Sequence, residues 1–201
     1  MDWDFNNLKD FDSHVREQLP WYEVAADLVA RLVRLYAAPE TTVYDIGAGT
    51  GYLGACLTGL ISERNLRYLA VEPIFEYRGP GIVIKDKVEK LDLVPSSCIV
   101  SFLSLMFIPP HIRVGVISKL REALLPGGRI ICVERFEQDR EALALQRAVI
   151  SVKLGAGADP IGAILKEEAL AGIQVPLRVS ELGKSRTRFF QFADFRGYIL
   201  R

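Results

Sequence analysis

Residues 41–57 constrain this 201-residue chain more than any other stretch. Val43, Tyr44 and Ile46 make an apolar run with β-branched members, the pattern of a buried strand. Within it stands Asp45; then come three alternating glycines, Gly47, Gly49 and Gly51, and a helix-compatible segment of small residues (Gly54, Ala55, Cys56). Glycine permits a sharp turn and lets backbone approach a ligand that a Cβ would exclude. The first N–H groups of the following helix point at the same place. Such a strand–turn–helix is half of an α/β unit, and its turn is the floor of a nucleotide-type site.

The remaining chain repeats that alternation. Residues 1–21 read as a helical arm or lid closed by Pro20, since proline fits poorly inside a helix. From 21 to 36, Val24, Leu28, Leu32 and Leu35 recur at helical spacing, with Val29 and Val33 widening the stripe. Residues 66–72, 82–84, 98–103 and 129–134 read as further strands, the first ending in Glu72 with Pro73 as a breaker. The stretch 75–81 is too short and too rich in breakers for a full helix. Residues 111–124 predict an amphipathic helix with Val114, Ile117, Leu120 and Leu124 on one face, stopped by Leu125-Pro126-Gly127-Gly128. A helical region follows over 137–173. The aromatic tail suggests a hairpin of strands 188–192 and 197–200 around Ala193-Asp194-Phe195. The expected fold is α/β: one doubly wound, mainly parallel sheet in a single domain over 1–201, its last strands antiparallel.

Composition narrows the function. The chain is 50% hydrophobic and 25% charged, with zero formal net charge. That argues against disorder and against a broad nucleic-acid-binding surface. No run is long enough to span a bilayer, and the acidic N-terminus lacks a signal-peptide pattern. Three cysteines (Cys56, Cys98, Cys132) in apolar settings read as reduced core residues of a cytoplasmic protein. Two histidines without ligand spacing argue against a metal.

Spacing then selects the ligand. Glu72 follows Gly51 by one helix plus one strand, the interval at which an acid meets a ribose diol. A dinucleotide turn is G-x-G-x-x-G; here it is Gly47-x-Gly49-x-Gly51, with Asp45 two residues ahead. An acid there would repel a pyrophosphate and suits an ammonium or sulfonium. The D-x-G-x-G-x-G turn, the acid-terminated second strand and the later Leu-Pro-Gly-Gly together resemble class I S-adenosylmethionine (SAM) methyltransferases over residues 41–134. That resemblance implies a Rossmann-like seven-stranded sheet with a terminal antiparallel hairpin. A nearer resemblance, carried by Leu19-Pro20-Trp21-Tyr22, residues 43–47 and 100–110, Glu134-Arg135-Phe136 and Phe190-Gln191-Phe192, is to the carboxy-SAM synthases of tRNA wobble-uridine modification.

The resemblance implies a set of cofactor-binding residues. Tyr22 would close over the methionine end of SAM, and Asp45 would anchor its ammonium. The backbone of Gly47, Ala48, Gly49 and Gly51 would pass beneath, Glu72 would hold the ribose, and Pro73 and Ile74 would flank adenine. The adenine amino group would meet Asp86 or the Lys87-Val88 pair, and Phe102 and Leu103 would lie under the cofactor facing the acceptor. The chain departs from the synthases in its more glycine-rich turn, in residues 164–168, which carry Glu167, Glu168 and only Lys166 where those enzymes use an arginine, and in the reduced second crossover. These departures favour methyl transfer from plain SAM, giving S-adenosylhomocysteine, over carboxy-SAM synthesis. A SAM-binding subunit without catalysis is a third reading and a nicotinamide dehydrogenase a distant fourth. No catalytic residue is assigned: His14 is one candidate base, and Glu134 with Arg135 reads as a surface ion pair or as acceptor-facing. Residues 184–188 form a basic loop entering an edge strand or a phosphate contact. The acceptor is left open between a small molecule, a tRNA and a protein, and the aromatic tail hints at a homodimer.

Overall fold

The computed structural model describes residues 11–138 and 173–201, with isolated positions between them. The elements are α1 (Phe11–Gln18), α2 (Tyr22–Tyr36), β1 (Thr42–Ile46), α3 (Tyr52–Glu63), β2 (Arg67–Val71), β3 (Ile82–Ile84), β4 (Ser96–Phe102), α4 (Pro110–Glu122), β5 (Leu124–Arg135), β6 (Arg186–Phe192) and β7 (Phe195–Leu200). The strands form one seven-stranded sheet in the order β3-β2-β1-β4-β5-β7-β6. The first five are mutually parallel, and β7 runs antiparallel to both β5 and β6. The sequence order reverses between β1 and β4, so the sheet has its switch point beside the glycine turn.

Strand alternation divides the core between two faces. Val43, Tyr68, Ala70, Cys98, Val100, Ile131 and Val133 pack under α2 and α3. Tyr44, Ile46, Leu69, Val71, Ile99, Ile130 and Cys132 pack on the other face with Ile117 and Leu120 of α4. Trp21, at the junction of arm and α2, is buried against the hairpin, its ring 5.2 Å from that of Phe190 and 4.8 Å from that of Phe195.

Both helix stripes rotate relative to the sequence expectation. On α2 the buried residues are Ala25, Ala26, Val29 and Val33, while Val24 and Leu35 are 62% and 67% exposed. Small residues let the helix lie close to the sheet, and close approach outweighs the larger apolar surface of the alternative face. On α4, Val114 is exposed and Arg113 is fully buried instead. Its guanidinium donates to the carbonyls of Ile108 (2.9 Å) and Val175 (2.9 Å) and pairs with Glu181 at 3.2 Å, joining α4 to the segment before β6. Leu124 belongs to β5, not to the helix, and Leu125-Pro126-Gly127-Gly128 lies inside that strand where its pairing with β4 shifts register. Cys56 is exposed on α3, unlike Cys98 and Cys132. The expected helical region over 137–173, with residues 164–168, lies almost wholly outside the described residues. Among the described residues, no helix is long and apolar enough to cross a membrane.

Between β2 and β3 the crossover has no helix: beyond Glu72 it is a nine-residue strap, 73–81. A Cβ on Gly51 would stand 2.5 Å from Gly79 N, and one on Gly54 2.7 Å from the Tyr77 hydroxyl. The strap therefore lies on the glycine turn and on α3 at backbone contact, and Arg78 N–H donates to Thr50 C=O at 2.9 Å. Gly51, which reads as ligand-facing, thus also serves this packing, and Gly54 packs closely as a small helix residue should.

Candidate functional site

The glycine turn hangs from the end of β2: the N–H groups of Gly47 and Ala48 both donate to Val71 C=O, at 2.8 and 3.2 Å. Gly47, Gly49 and Gly51 have φ of 69°, 57° and 102°, the left-handed region that glycine enters without strain. Gly51 caps α3, so the first turn of that helix opens at the site. Thr50 donates from its hydroxyl to Asp12 of α1 at 2.5 Å, which docks the arm on the turn.

Glu72, just past β2, is buried and grips this assembly. One carboxylate oxygen accepts from Gly49 N–H at 2.8 Å, and the other from Ile74 and Phe75 N–H at 2.7 and 2.9 Å. A carboxylate has about four acceptor positions. Three are filled by backbone, leaving capacity for one hydroxyl.

Asp45 is 1% exposed and lies on the α3 face of β1. Its carboxylate accepts from the Tyr68 hydroxyl at 2.6 Å. Burial raises its pKa to about 6, with the Tyr68 hydrogen bond opposing and the Glu72 charge adding to the rise. Tyr22 packs between Tyr52 (ring centroids 5.4 Å) and Phe102 (5.1 Å), and burial followed by the charges of Asp12 and Asp45 raises its phenol pKa. Arg16 of α1 lies 4.7 Å over the Tyr52 ring and pairs with Glu23. The arm, the glycine turn and Tyr22 thus form one contiguous wall.

The remaining sequence candidates are spread along the same sheet edge. Pro73 and Ile74 are exposed beyond β2. Asp86 follows β3, accepts Lys87 N–H at 2.7 Å and pairs loosely with Lys90; Lys87 is exposed, and Val88 is buried in the core facing α4. Phe102 ends β4, and Leu103 follows it with φ +59°. Arg135 pairs with Asp194 at 2.5 Å. Glu134 is not in a surface ion pair: it is fully buried and accepts four hydrogen bonds around residues 101–106. Arg186 and Arg188 stand exposed on the edge strand β6. Among the described residues no cluster of His, Cys, Asp and Glu could hold a metal ion.

Sequence reasoning missed Tyr68 and the buried role of Glu134. For Tyr68 the signal was present: it is two residues before Ala70, the register partner of Asp45, hence on the same face of the sheet. Ala70 opposite the carboxylate leaves the phenol room to reach it.

No protein-family model matches the chain. It is 27% identical over 196 residues to the carboxy-S-adenosyl-L-methionine synthase of Ectopseudomonas mendocina (strain ymp), across 87% of this chain and 79% of that protein. To the synthase of Pseudomonas aeruginosa (strain UCBPP-PA14) it is 26% identical over 227 residues, across 98% of this chain and 92% of the other. Among solved structures, the plantazolicin methyltransferase BpumL in complex with SAH superposes with a TM-score of 0.61 over 94% of this chain and 87% of that one, at 11% identity. The chain therefore has the Rossmann-like fold of SAM-dependent methyltransferases and is similar over most of its length to carboxy-SAM synthases.

Proposed function

We propose that the protein binds SAM at the carboxyl edge of β1, β2 and β4 and transfers its methyl group to an acceptor, releasing S-adenosylhomocysteine. The observation that carries this reading is the hydrogen bond from Gly49 N–H to Glu72, which joins the glycine turn to an acid with one acceptor position to spare. The donor set suits the group. A buried acid behind the turn offers negative potential to a cationic ligand, and a partly satisfied carboxylate beside it offers an acceptor to a ribose. Asp45 would act on the ammonium from behind the turn, Glu72 would take a ribose hydroxyl, and Pro73 and Ile74 would border adenine. Asp86, Lys87 and the backbone at Val88 would meet the adenine amino group. Tyr22, Phe102 and Leu103 would exclude water from the reacting end.

When bound, SAM supplies a methyl group already activated on sulfonium sulfur, so the protein's task is alignment and desolvation. That matches a site rich in aromatic and backbone groups. The arm, held through Asp12 and Thr50, would act as the lid, and the free cysteines accord with a cytoplasmic protein.

Carboxy-SAM synthesis is the second reading, favoured by similarity across most of the chain. Mass spectrometry of the ligand that co-purifies with the protein separates the two. SAM or S-adenosylhomocysteine supports methyl transfer, whereas the heavier carboxylated form overturns it. SAM binding without turnover on any extract would indicate a non-catalytic subunit, and extract fractions of small molecules, tRNA and protein would sort the acceptor class. Calorimetry tests the site itself: Asp45→Ala or Glu72→Ala should weaken SAM binding by about 1–3 kcal/mol through lost charge-assisted interactions. Unchanged affinity in both would remove the assignment. Sedimentation of the pure protein tests the homodimer.

A further inference from the structure

Glu134, the last residue but one of β5, lies directly opposite Arg196 of β7. Neighbours of opposite charge on adjacent strands commonly pair, yet these two are engaged elsewhere. The Arg196 guanidinium lies over the Phe136 ring at 5.8 Å. The Glu134 carboxylate turns to the β4–α4 connection. One of its oxygens accepts from Ser101 Oγ (2.6 Å), Ser104 N–H (3.1 Å) and Leu105 N–H (2.9 Å), and the other from Met106 N–H (3.3 Å). Three consecutive amides converging on one anion make a backbone nest, here filled from within the chain.

The nest has a consequence at the glycine turn. It follows Leu103, which holds φ +59°, a conformation that a leucine rarely adopts. Leu103 N–H is tied to Val133 C=O at 2.8 Å. Ser104, the first amide of the nest, packs on Gly47 so closely that a Cβ there would lie 2.5 Å from Ser104 Cβ. Without the anion, the three amides that follow the strained leucine would lose the buried acceptor that holds them in register.

We propose that Glu134 is the positioning residue of this site: its carboxylate shapes the 103–106 turn, keeps Leu103 left-handed and seats Ser104 against Gly47, and so sets how tightly the glycine turn binds its nucleoside. The ligand in this statement rests on the SAM reading above; the shaping of the turn does not.

Glu134→Gln keeps the shape but puts an N–H₂ group where an acceptor stood, so at least one amide of the nest loses its partner. Two measurements on the full-length protein decide the matter. Amide hydrogen exchange at Ser104, Leu105 and Met106 reads the turn. Calorimetric SAM affinity from about pH 6 to about pH 8.5 reads the site, across the range in which a buried carboxylate changes charge. The Ser101 hydroxyl on β4 donates to the carboxylate, Cys132 stands two residues before it on β5, Arg196 lies opposite it on β7 and the Arg113 guanidinium of α4 reaches the Met106 carbonyl, and none of these is altered in the variant. Glu137→Gln, at an exposed carboxylate, is the control.

The expected result is exchange at least about tenfold faster at those three amides and SAM affinity at least about tenfold lower. Acidification should lower the wild-type affinity through Glu134 as well as through Asp45, so the variant should lose a smaller part of its affinity over the same range. If Glu134→Gln does not fold, Ser101→Ala carries the test, with a smaller change in the same directions. Exchange unchanged at the three amides overturns the proposal, and so does faster exchange with an unaltered affinity and pH profile. A wild type that binds no SAM overturns the cofactor reading instead, and the exchange data then decide whether Glu134 holds the turn.

Discussion

The hydroxyl of Tyr68 donates to the carboxylate of Asp45 at 2.6 Å, diagonally across the β1–β2 pair, with both side chains on the face covered by α3. Burial raises the pKa of each group, and the bond opposes that rise only for the acid. The acid that introduces the glycine turn is thus held by a neighbour on the next strand.

Removing that donor leaves a buried carboxylate short of a partner. Tyr68→Phe should destabilise the protein by about 1–3 kcal/mol and move the Asp45 pKa further up, because the lost bond favoured the charged form. Chemical denaturation gives the first, and titration of the Asp45 carboxyl carbon by NMR gives the second. A pKa that falls would contradict the geometry.

Acidity should stabilise the fold through two groups. Burial raises Asp45 to about 6 and Glu134 to about 7. The folded state then holds these protons more tightly than the unfolded chain, so the contribution is fully present below the unfolded pKa values near 4. It is lost as pH climbs through about 6 to about 7, on the order of 3 kcal/mol for each group. Melting temperatures of the wild type and Glu134→Gln across that window should diverge as pH falls, the wild type gaining more. Parallel curves would show that Glu134 keeps an ordinary pKa.

Gly51 and Gly59 both belong to the turn-and-helix unit and should respond oppositely to alanine. At Gly51, φ is +102° and the new Cβ would meet the strap at Gly79, so Gly51→Ala should cost about 2–4 kcal/mol. At Gly59, inside α3, a Cβ meets nothing within 4 Å, and Gly59→Ala should stabilise by about 0.5–1 kcal/mol. Denaturation midpoints of the pair check both signs.

The arm reaches the turn through Asp12 and Thr50. Asp12→Ala or Thr50→Val should release α1, seen as faster proteolytic cleavage near residues 11–18, and lower SAM affinity severalfold with little change in melting temperature. Equal affinity in both variants would show that the arm only packs.

The order of strands and helices was legible from residues 41–134, because period-2 and period-3.6 patterns and the glycine punctuation are local signals. The antiparallel hairpin was legible too, from two strands with no room for a helix between them. The faces of α2 and α4 were not. Val24 and Leu35 look like core by spacing, but which stripe is buried depends on how closely the helix must approach β4 and β5, and Ala25 and Ala26 allow that approach.

At the site the same division holds. The sequence alone determined that an acid, three glycines and a second acid would meet at the carboxyl edge of adjacent strands, because strand direction and connection length leave little choice. Only the tertiary structure decided which partners those groups keep. Glu72 is gripped by three amides, Asp45 by Tyr68, and Glu134 fills a nest that its exposed-looking position at a strand end gave no reason to expect. Hydrogen bonds to a carboxylate come from whatever donors folding brings within reach. In this chain only Ile74 and Phe75, two and three residues from Glu72, are local; the other donors lie between 23 and 33 residues away, beyond the reach of any local pattern.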